Sequence, residues 1–422
     1  MPRAAPKAHD VADLALAPEG AARIAWAAEQ MPVLARVRER FAAERPLAGV
    51  RVAACLHVTA ETANLVTTLQ AAGAEPALCS ANPLSVQDDV AAALVEEHAV
   101  EVRAVHGESF ETYAAHLKAI VAGAPQITLD DGADLLTVAH EAGGPVLDGI
   151  VGGIEETTAG LVRLRRLHAQ SGLRCPVLAA NEARTERALN DRHGTGQSAL
   201  DGIIRASNVL IAGHTLVVLG YGWAGLGIAE RARGAGAAVV VCEIDPLRAL
   251  EARMAGYEVM PALEAAERGD VFVTVTGSRR VLRAEHFERM KDGALLVNAG
   301  HFDVELDLEA LRALSVEEVR RVRPLVEQYR LADGRRLNLL ASGRVVNLAA
   351  AEGHPAAVMD VSFALQALCA EALIVRAGQF APGVHPVPDD IDNEVARLKL
   401  AALGVRIDDP TPEQAGYRET WG

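Results

Sequence analysis

The sequence predicts an α/β protein that contains two doubly wound sheets made mainly of parallel strands. Three observations support this fold class. Segments of strand length alternate with segments of helix length, half of the residues are apolar while only 4% are aromatic, and the 422 residues exceed what one hydrophobic core can serve. Alanine and glycine are abundant, which suits close packing of helices on a parallel sheet.

The first half of the chain predicts one of these sheets. We expect strands at residues 50–55, 75–79, 100–103, 126–129 and 176–179. The clearest helices between them are expected at 60–72 and 88–97.

Polar clusters follow three of these strands, at residues 57–62, 80–83 and 130–134. In doubly wound sheets, ligands bind beyond the carboxyl ends of the strands. The sequence therefore predicts a ligand site formed by these clusters.

Residues 214–245 predict a strand, a glycine-rich turn, a helix and a second strand. The apolar run 215–219 enters Gly220-Tyr-Gly222-Trp223-Ala224-Gly225, which fits G-x-G-x-x-G, and the run 237–242 ends at Glu243. The first glycine permits a tight turn, the second lets the backbone approach a pyrophosphate, and the third lets the helix pack on the strand. The helix N-terminus then faces the phosphates, so the unit indicates a dinucleotide site.

The residue Glu243 favours NAD over NADP. A carboxylate at this position would accept a hydrogen bond from a free ribose 2′-hydroxyl and repel a 2′-phosphate. Arg248, one turn into the next helix, is a counter-argument, although an arginine there is also compatible with simple solvation.

The second half of the chain adds one strand to the nucleotide unit and then returns to the first unit. We expect a strand at 295–298, a helix that opens at 353–355 and runs to 373, a proline-rich turn at 382–388 and an amphipathic helix near 392–403. The predicted domains are a substrate domain in two parts, 1–190 and 351–403, a nucleotide-binding domain, 191–350, and an irregular polar tail, 404–422.

Composition excludes several functional classes. A net charge of −15 without a basic stripe argues against nucleic acid as a partner. No run approaches the ~18 uninterrupted apolar residues of a membrane span, and the N-terminus lacks an apolar core like that of a signal peptide. The five cysteines have no metal-ligand spacing, so no metal site is expected. We expect a cytoplasmic enzyme.

Clusters along the chain resemble the adenosylhomocysteinase family, from about Val11 to Pro412. The matching segments are 55–62 with Cys55-Leu-His57, 82–88, Asp130-Asp131-Gly132, Glu155-Glu156-Thr157-Thr158, 194–198, Gly220-Tyr-Gly222, 298–303 with His301-Phe302, and Asn347-Leu348 with Gly353-His354-Pro355. Their number and order make this resemblance far more specific than any single motif.

The resemblance implies two Rossmann-like domains, resident NAD, an adenine nucleoside substrate and a homotetramer. In this family the nucleoside 3′-hydroxyl is oxidised, the hydrogen on C4′ becomes acidic, the 5′ substituent leaves, water adds and the ketone is reduced again. Such a sequence needs a base for the hydroxyl, a base for carbon, an acid at the leaving group and a closed site.

The resemblance also assigns roles to residues of this chain. The catalytic positions are His57, Asp131, Glu156, Glu186, Asn190, Asp191 and His301. The substrate contacts are Thr59, Glu61, Thr62, Asn181, Phe302, His354 and Met359. The cofactor contacts are Thr157, Thr158, Gly220, Gly222, Trp223, Ala224, Gly225, Glu243, Arg248, Thr276, Gly300 and Asn347.

The chain departs from the family at three of these positions. Where the family has a lysine this chain has Glu186, and where it has an aspartate and an asparagine this chain has Asn190 and Asp191. The exchange makes the local formal charge clearly negative, although neighbouring arginines such as Arg187 could screen it. Either the site is inactive, or burial raises the pKa of Glu186 or Asp191 until the carboxylate serves as the base.

Three functions follow from this departure. The first, which we expect, is a nucleoside dehydratase in which hydroxide leaves, resembling the offshoot of the family that converts psicofuranine-type nucleosides to decoyinine. The second is ordinary hydrolysis of S-adenosyl-L-homocysteine. The third is a catalytically silent paralogue that binds NAD and a nucleoside.

Overall fold

The computed structural model describes residues 8–300 and 303–419. The strands in these residues are β1 (Arg51–Leu56), β2 (Glu75–Ser80), β3 (Glu101–Arg103), β4 (Ile127–Asp130), β5 (Gly152–Glu155), β6 (Pro176–Ala179), β7 (Thr215–Leu219), β8 (Ala238–Cys242), β9 (Glu258–Val259), β10 (Val271–Thr274), β11 (Leu295–Asn298), β12 (Arg320–Arg323), β13 (Val326–Arg330), β14 (Arg336–Leu340) and β15 (Gly383–Pro386).

Helices of three types connect these strands. The α-helices are α1 (Ala17–Ala28), α2 (Pro32–Glu44), α3 (Ala60–Ala71), α4 (Asp88–Glu96), α5 (Phe110–Ala122), α6 (Asp134–Ala142), α7 (Gly144–Asp148), α8 (Thr158–Ala169), α9 (Thr195–Ser207), α10 (Trp223–Gly234), α11 (Pro246–Met254), α12 (Ala262–Ala266), α13 (Ala284–Phe287), α14 (Leu308–Leu314), α15 (Val346–Ala349), α16 (Ala356–Val375), α17 (Asp389–Ala402) and α18 (Pro412–Glu419). Short 3₁₀ turns lie at Leu14–Leu16, Pro83–Ser85, Ala180–Glu182 and Ala341–Gly343, and a π-helix spans Glu186–Gly194.

The first sheet has the strand order β15-β6-β5-β4-β1-β2-β3, and its strands pair in parallel. Because β1 lies between β2 and β4, the direction in which the chain adds strands reverses there. Such a reversal opens a crevice beyond the carboxyl ends of β1 and β4.

The second sheet has the order β12-β13-β14-β11-β10-β7-β8-β9, and it is parallel except for the edge hairpins at β12, β13 and β14. Its reversal lies between β7 and β10. The glycine-rich turn follows β7, so the predicted dinucleotide motif opens at the crevice of this sheet.

Apolar clusters cover both faces of each sheet. Helices α1, α2, α3, α4 and α16 pack on one face of the first sheet, and α5 and α6 contribute to the cluster on the other. Leu56, Leu78 and Leu129 are at most 1% exposed, as expected for strands buried on both sides. These clusters fix the strand ends on which the polar residues sit.

The predicted fold class is confirmed, and two local expectations are wrong. Residues 383–386 lie within the segment expected to be a turn, but they form β15, which pairs with β6. The pairing satisfies backbone groups that the sequence around these prolines gave no reason to place in a sheet. The tail expected to be irregular contains α18 at Pro412–Glu419. The exact domain boundaries stay a prediction.

Helix α16 is long and apolar enough to cross a membrane by length and composition, but 72% of its most apolar window is buried inside the protein. It carries Asp360, Ser362 and Gln366, all at most 1% exposed, among its apolar residues. The five cysteines are also buried, as expected for small core residues.

Candidate functional site

His57 and Asp131 meet at the crevice of the first sheet. His57 follows β1, Asp131 follows β4, and His57 Nε2 lies 2.9 Å from Asp131 Oδ2. His57 Nδ1 lies 2.5 Å from Ser85 Oγ, and the same hydroxyl donates to the Asn82 carbonyl at 2.9 Å. Both ring nitrogens of His57 therefore have polar partners, and the ring is held between Ser85 and Asp131.

Glu156 extends this pair toward α16. It follows β5, its Oε2 accepts a hydrogen bond of 2.5 Å from Gln366 Nε2, and burial raises the pKa of Glu156 well above its usual value. The neighbouring Asp131, which hydrogen-bonds to Glu156, and the more distant Glu186 raise the same pKa further. Two carboxyl groups in contact disfavour each other's ionisation, and this adds to the effect of burial on Glu156.

The π-helix carries Glu186, Asn190 and Asp191. π-Helical turns are rare and are frequently found at functional sites. Glu186 is 2% exposed, and the Asn190 amide donates to its Oε1. Burial raises the pKa of Glu186 to about 8, with a further contribution from Asp191. Burial raises the pKa of Asp191 to about 6, and Arg187 opposes this shift.

The formal charge count therefore overstates the negative charge at this place. Glu186 is mostly protonated at pH 7, because its pKa is about 8, so the pair of Glu186 and Asn190 is close to neutral. Arg187 screens this charge, because it lowers the pKa of Asp191, whereas Arg192 is paired with Glu230.

Three residues at the beginning of α3 lie beside His57. Thr59 caps the helix, and its hydroxyl accepts from the Thr62 amide at 3.4 Å. Thr62 is buried, and its hydroxyl donates to the His57 carbonyl at 2.6 Å, so it fixes the His57 backbone. Burial raises the pKa of Glu61, while the Thr59 hydroxyl lowers it.

His354 connects the two units. Its Nε2 lies 3.2 Å from Thr195 Oγ1 and 3.5 Å from Asn347 Nδ2, and its ring packs where a side chain on Gly194 would stand. Burial lowers the pKa of His354 to about 4, and the nearby His57 lowers it further. The ring is therefore neutral and can accept a hydrogen bond. Met359 lies close by, with its sulfur 3.9 Å from Asn190 Nδ2.

Glu155 holds the predicted cofactor contact Thr157. The carboxylate of Glu155 is fully buried and accepts from Gly132 N at 2.9 Å, from Thr157 N at 2.9 Å and from the Thr157 hydroxyl at 2.6 Å. Thr158 donates to Asn181 Oδ1 at 2.8 Å, which joins two further predicted contacts. A solvated helix N-terminus, the alternative for residues 155–156, is excluded by this burial.

The glycine-rich turn forms the expected cradle. Gly220 has a φ of 103°, which favours glycine, and a Cβ on Gly225 would clash with the carbonyl oxygen of Gly220. Gly222 caps α10, and Trp223 and Ala224 form its first turn. The helix N-terminus therefore stays open to a phosphate group.

Glu243 and Arg248 flank this cradle. Glu243 Oε2 accepts from Tyr221 N at 2.6 Å, and its Oε1 accepts from the amides of residues 244 and 245. Arg248 Nη1 lies 3.4 Å from the Tyr221 carbonyl and 3.0 Å from the position of a Cβ on Gly222. Oε2 of Glu243, which accepts one hydrogen bond, keeps a lone pair for a ribose hydroxyl.

Glu305 supports the other side of the cradle and escaped the sequence analysis. It is 1% exposed and accepts from Thr276 N at 3.0 Å, the Thr276 hydroxyl at 2.8 Å and Gly277 N at 2.8 Å. A Cβ on Gly300 would clash with its carboxylate, which explains the glycine there. Burial raises the pKa of Glu305.

Other supporting residues were also missed, namely Ser85, Ser362, Gln366 and Asp392. The one available signal was the pair of polar residues four apart, Ser362 and Gln366, in an otherwise apolar helix. His301 and Phe302 lie outside the described residues. Within the described ranges no group of three His, Cys, Asp or Glu side chains is arranged to hold a metal ion.

Comparison with known proteins identifies relatives over nearly the whole chain. Residues 8–145 match the family model of S-adenosyl-L-homocysteine hydrolase, and residues 191–353 match the model of its NAD binding domain. The chain is 54% identical over 412 residues to the adenosylhomocysteinase of Aquifex aeolicus, with 98% of each chain covered. It is 51% identical over 413 residues to the S-inosyl-L-homocysteine hydrolase of Methanopyrus kandleri, covering 98% of this chain and 97% of that one. The cofactor of the second sheet is therefore NAD.

Proposed function

Because the chain belongs to the adenosylhomocysteinase family, we propose that it is an NAD-dependent hydrolase of S-adenosyl-L-homocysteine or a close analogue, with a carboxyl group at position 186 as a working part of its site. The observation that carries this proposal is the line of hydrogen-bonded acid–base groups Ser85, His57, Asp131 and Glu156 at the crevice of the first sheet. Hydrolysis replaces dehydration as the first choice, because the relatives described above are an adenosylhomocysteinase and an S-inosyl-L-homocysteine hydrolase.

His57 is the proposed acid at the leaving group. Its Nδ1 hydrogen-bonds to Ser85, its Nε2 faces Asp131, and its backbone is fixed by Thr62. Glu156, whose pKa is raised, can hold a proton that replaces, through Asp131, one that His57 gives away. Bound NAD supplies the reversible oxidation of the sugar hydroxyl.

Glu186 is the proposed base on the sugar side. With a pKa of about 8 it is mostly protonated at pH 7, and the fraction able to accept a proton rises with pH. The Asn190 amide favours the ionised form, because it donates to the carboxylate. Asp191, with a pKa of about 6, is the alternative base.

The base test compares Glu186→Gln and Asp191→Asn with Glu258→Gln, whose parent residue is exposed on the second sheet and ion-paired with Arg268. Loss of Glu186 as base is expected to slow the exchange of the C4′ hydrogen with solvent deuterium by ~10²-fold or more. The Glu258 variant should exchange at the wild-type rate. Full exchange in both the Glu186 and Asp191 variants would exclude a carboxylate base at this place.

The reaction test incubates NAD-loaded protein with S-adenosyl-L-homocysteine, with its inosine analogue and with a hydroxymethyl-bearing adenine nucleoside. Release of homocysteine from the first two, followed with a thiol reagent, supports hydrolysis. Loss of water from the third without thiol release would support the dehydratase instead. NAD binding without either reaction would indicate the silent paralogue, which the cradle alone does not distinguish.

Glu61 and Thr59 are the proposed purine contacts, with adenine as the preferred base. Assembly into a homotetramer rests on the family alone, and sedimentation of the NAD-loaded protein would test it. A cytoplasmic location likewise stays a proposal.

A further inference from the structure

Asp392, on α17, binds the turn that begins the π-helix. Its side chain is 5% exposed and accepts from Arg184 N at 2.9 Å, from Thr185 N at 3.1 Å and from Thr185 Oγ1 at 2.5 Å. Residues 184 and 392 are separated by 208 positions in sequence. The contact therefore exists only because α17 packs against this part of the first unit.

The first amides of a helix have no partner inside it, so a buried helix start needs an outside acceptor. Asp392 satisfies two such amides, and its negative charge lies at the positive end of the helix dipole. The next residue in the chain is Glu186. π-Helical turns are rare and usually short, so the position of Glu186 depends on the contacts that fix the first turn of its helix.

We propose that Asp392 is a positioning residue, which fixes the first turn of the π-helix and thereby places the Glu186 carboxyl beside Asn190 and Ser362. The proposal rests on the proposed role of Glu186. Ser362 and Asn190 both favour the ionised form of Glu186 through hydrogen bonds, and a shift of the first turn would break these contacts.

The charges around Glu186 give this proposal a measurable sign. The charged neighbours of Glu186 are Asp191 and Arg187 on its own helix, Glu156 after β5 and Asp392 on α17. The neighbours of Asp392 are Arg184, whose Nε lies 3.5 Å away, and the buried Cys369 thiol. The negative charge of Asp392 contributes to the raised pKa of Glu186. Removing this charge alone would lower the pKa of Glu186, but losing the hydrogen bonds from Ser362 and Asn190, which contribute more, would raise it.

The experiment uses Asp392→Asn and Asp392→Ala, with Asp390→Asn as the matched control. Asp390 lies on the same helix and pairs with Arg376 at the surface. Asparagine keeps one oxygen acceptor and nearly the same volume, so Asp392→Asn should fold even if the alanine variant does not.

Three measurements are made on each NAD-loaded variant. Hydrogen exchange of the amides of residues 184–188 measures the stability of the helix start. The titration of Glu186 is followed by the carbonyl band of its protonated carboxyl in the infrared spectrum, which is identified as the band that Glu186→Gln removes. Turnover is measured as a function of pH. For Asp392→Asn we expect faster exchange, a Glu186 titration displaced to higher pH, and kcat reduced ~10-fold or more with little change in KM, because misplacement by about 1 Å can cost on the order of 10²-fold. A titration displaced to lower pH with an unchanged kcat would show loss of the charge without displacement and would overturn the positioning role.

Unchanged exchange at residues 184–188 in Asp392→Asn would overturn the proposed contact whatever the activity. Faster exchange with an unmoved titration and an unmoved kcat would overturn the positioning role and leave a structural one. Failure of the Glu186 assignment itself is seen separately, as full activity of Glu186→Gln, since neither exchange nor the infrared titration needs turnover.

Discussion

Arg192 near the end of the π-helix and Glu230 of α10 form an ion pair with two hydrogen bonds, Nε to Oε2 at 2.9 Å and Nη2 to Oε1 at 2.6 Å. The backbones also touch there, because a Cβ on Gly227 would clash with the Arg192 carbonyl oxygen. The helix that carries Glu186 is thus joined to the helix whose N-terminus forms the NAD cradle.

This ion pair itself should contribute little to stability. Its side chains are 37% and 34% exposed, and a pair of that exposure contributes up to about 1 kcal/mol. A double-mutant cycle with Arg192→Gln and Glu230→Gln, followed by urea unfolding, should give a coupling of that size which weakens as salt is added. A coupling that is larger and independent of salt would contradict the solvent screening that this exposure implies.

The backbone contact should matter more than the ion pair. Gly227→Ala places a methyl group against the Arg192 carbonyl, whereas Gly234→Ala, at the end of the same helix, meets no atom within 4 Å. We expect the first variant to lower the melting temperature and slow turnover, and the second to leave both unchanged. Equal behaviour of the two variants would show that α10 and the π-helix can separate without loss.

NAD retention should depend on the close approach of Gly225 to Gly220. Gly225→Ala places its methyl group against the Gly220 carbonyl and should displace the turn that holds the pyrophosphate. Gly222→Asp adds a carboxylate to the same turn. Both should purify with little NAD(H) and bind it weakly by calorimetry. The control is again Gly234→Ala, which should retain the cofactor as the wild type does. Normal retention by Gly225→Ala would place the dinucleotide elsewhere.

Glu186 should make stability depend on pH. Its pKa is about 8 in the folded protein and about 4.5 in the unfolded chain. Between these values the folded protein holds a proton that the unfolded chain releases, so the free energy of unfolding falls as pH rises from about 4.5 to 8 and stops falling above 8. Glu186→Gln removes this contribution to the pH dependence of the free energy of unfolding.

The melting temperature of Glu186→Gln should therefore exceed that of the wild type increasingly as the pH is raised from about 5 to about 8.5. Asp390→Asn is the control without a slope, because Arg376 lowers the pKa of that exposed carboxyl, which is therefore ionised in the folded and the unfolded chain throughout this range. A constant difference between Glu186→Gln and the wild type across this range would mean that Glu186 titrates near its ordinary pKa.

Gln366 should lower the pKa of Glu156. Its amide donates to Glu156 Oε2 at 2.5 Å and opposes the rise of the Glu156 pKa. Gln366→Met keeps the volume and removes the donor, so Glu156 becomes harder to ionise and turnover should fall ~10-fold or more, as for other residues that orient an acid–base group. Gln379→Met, at an exposed position after the same helix, should leave turnover unchanged. Equal turnover in both would remove Gln366 from the working site.

The sequence by itself determined the features that depend on local spacing. Runs of strand length placed the strands β1, β2, β3, β4, β6, β7, β8 and β11, and the G-x-G-x-x-G pattern placed the NAD cradle, because a turn against a phosphate requires glycine at fixed offsets. His57 and Asp131 could be named because each stands directly after a buried strand.

The tertiary structure alone decided which acid–base groups lie together and which residues hold them. Glu156 meets Gln366 across 210 positions, Asp392 meets Arg184 across 208, and β15 reaches β6 from the far end of the chain. None of these contacts has a local signature. The pKa of Glu186 belongs to the same class, because it is set by burial together with Asp191 and Asn190 on its own helix, Ser362 on α16 and Asp392 on α17.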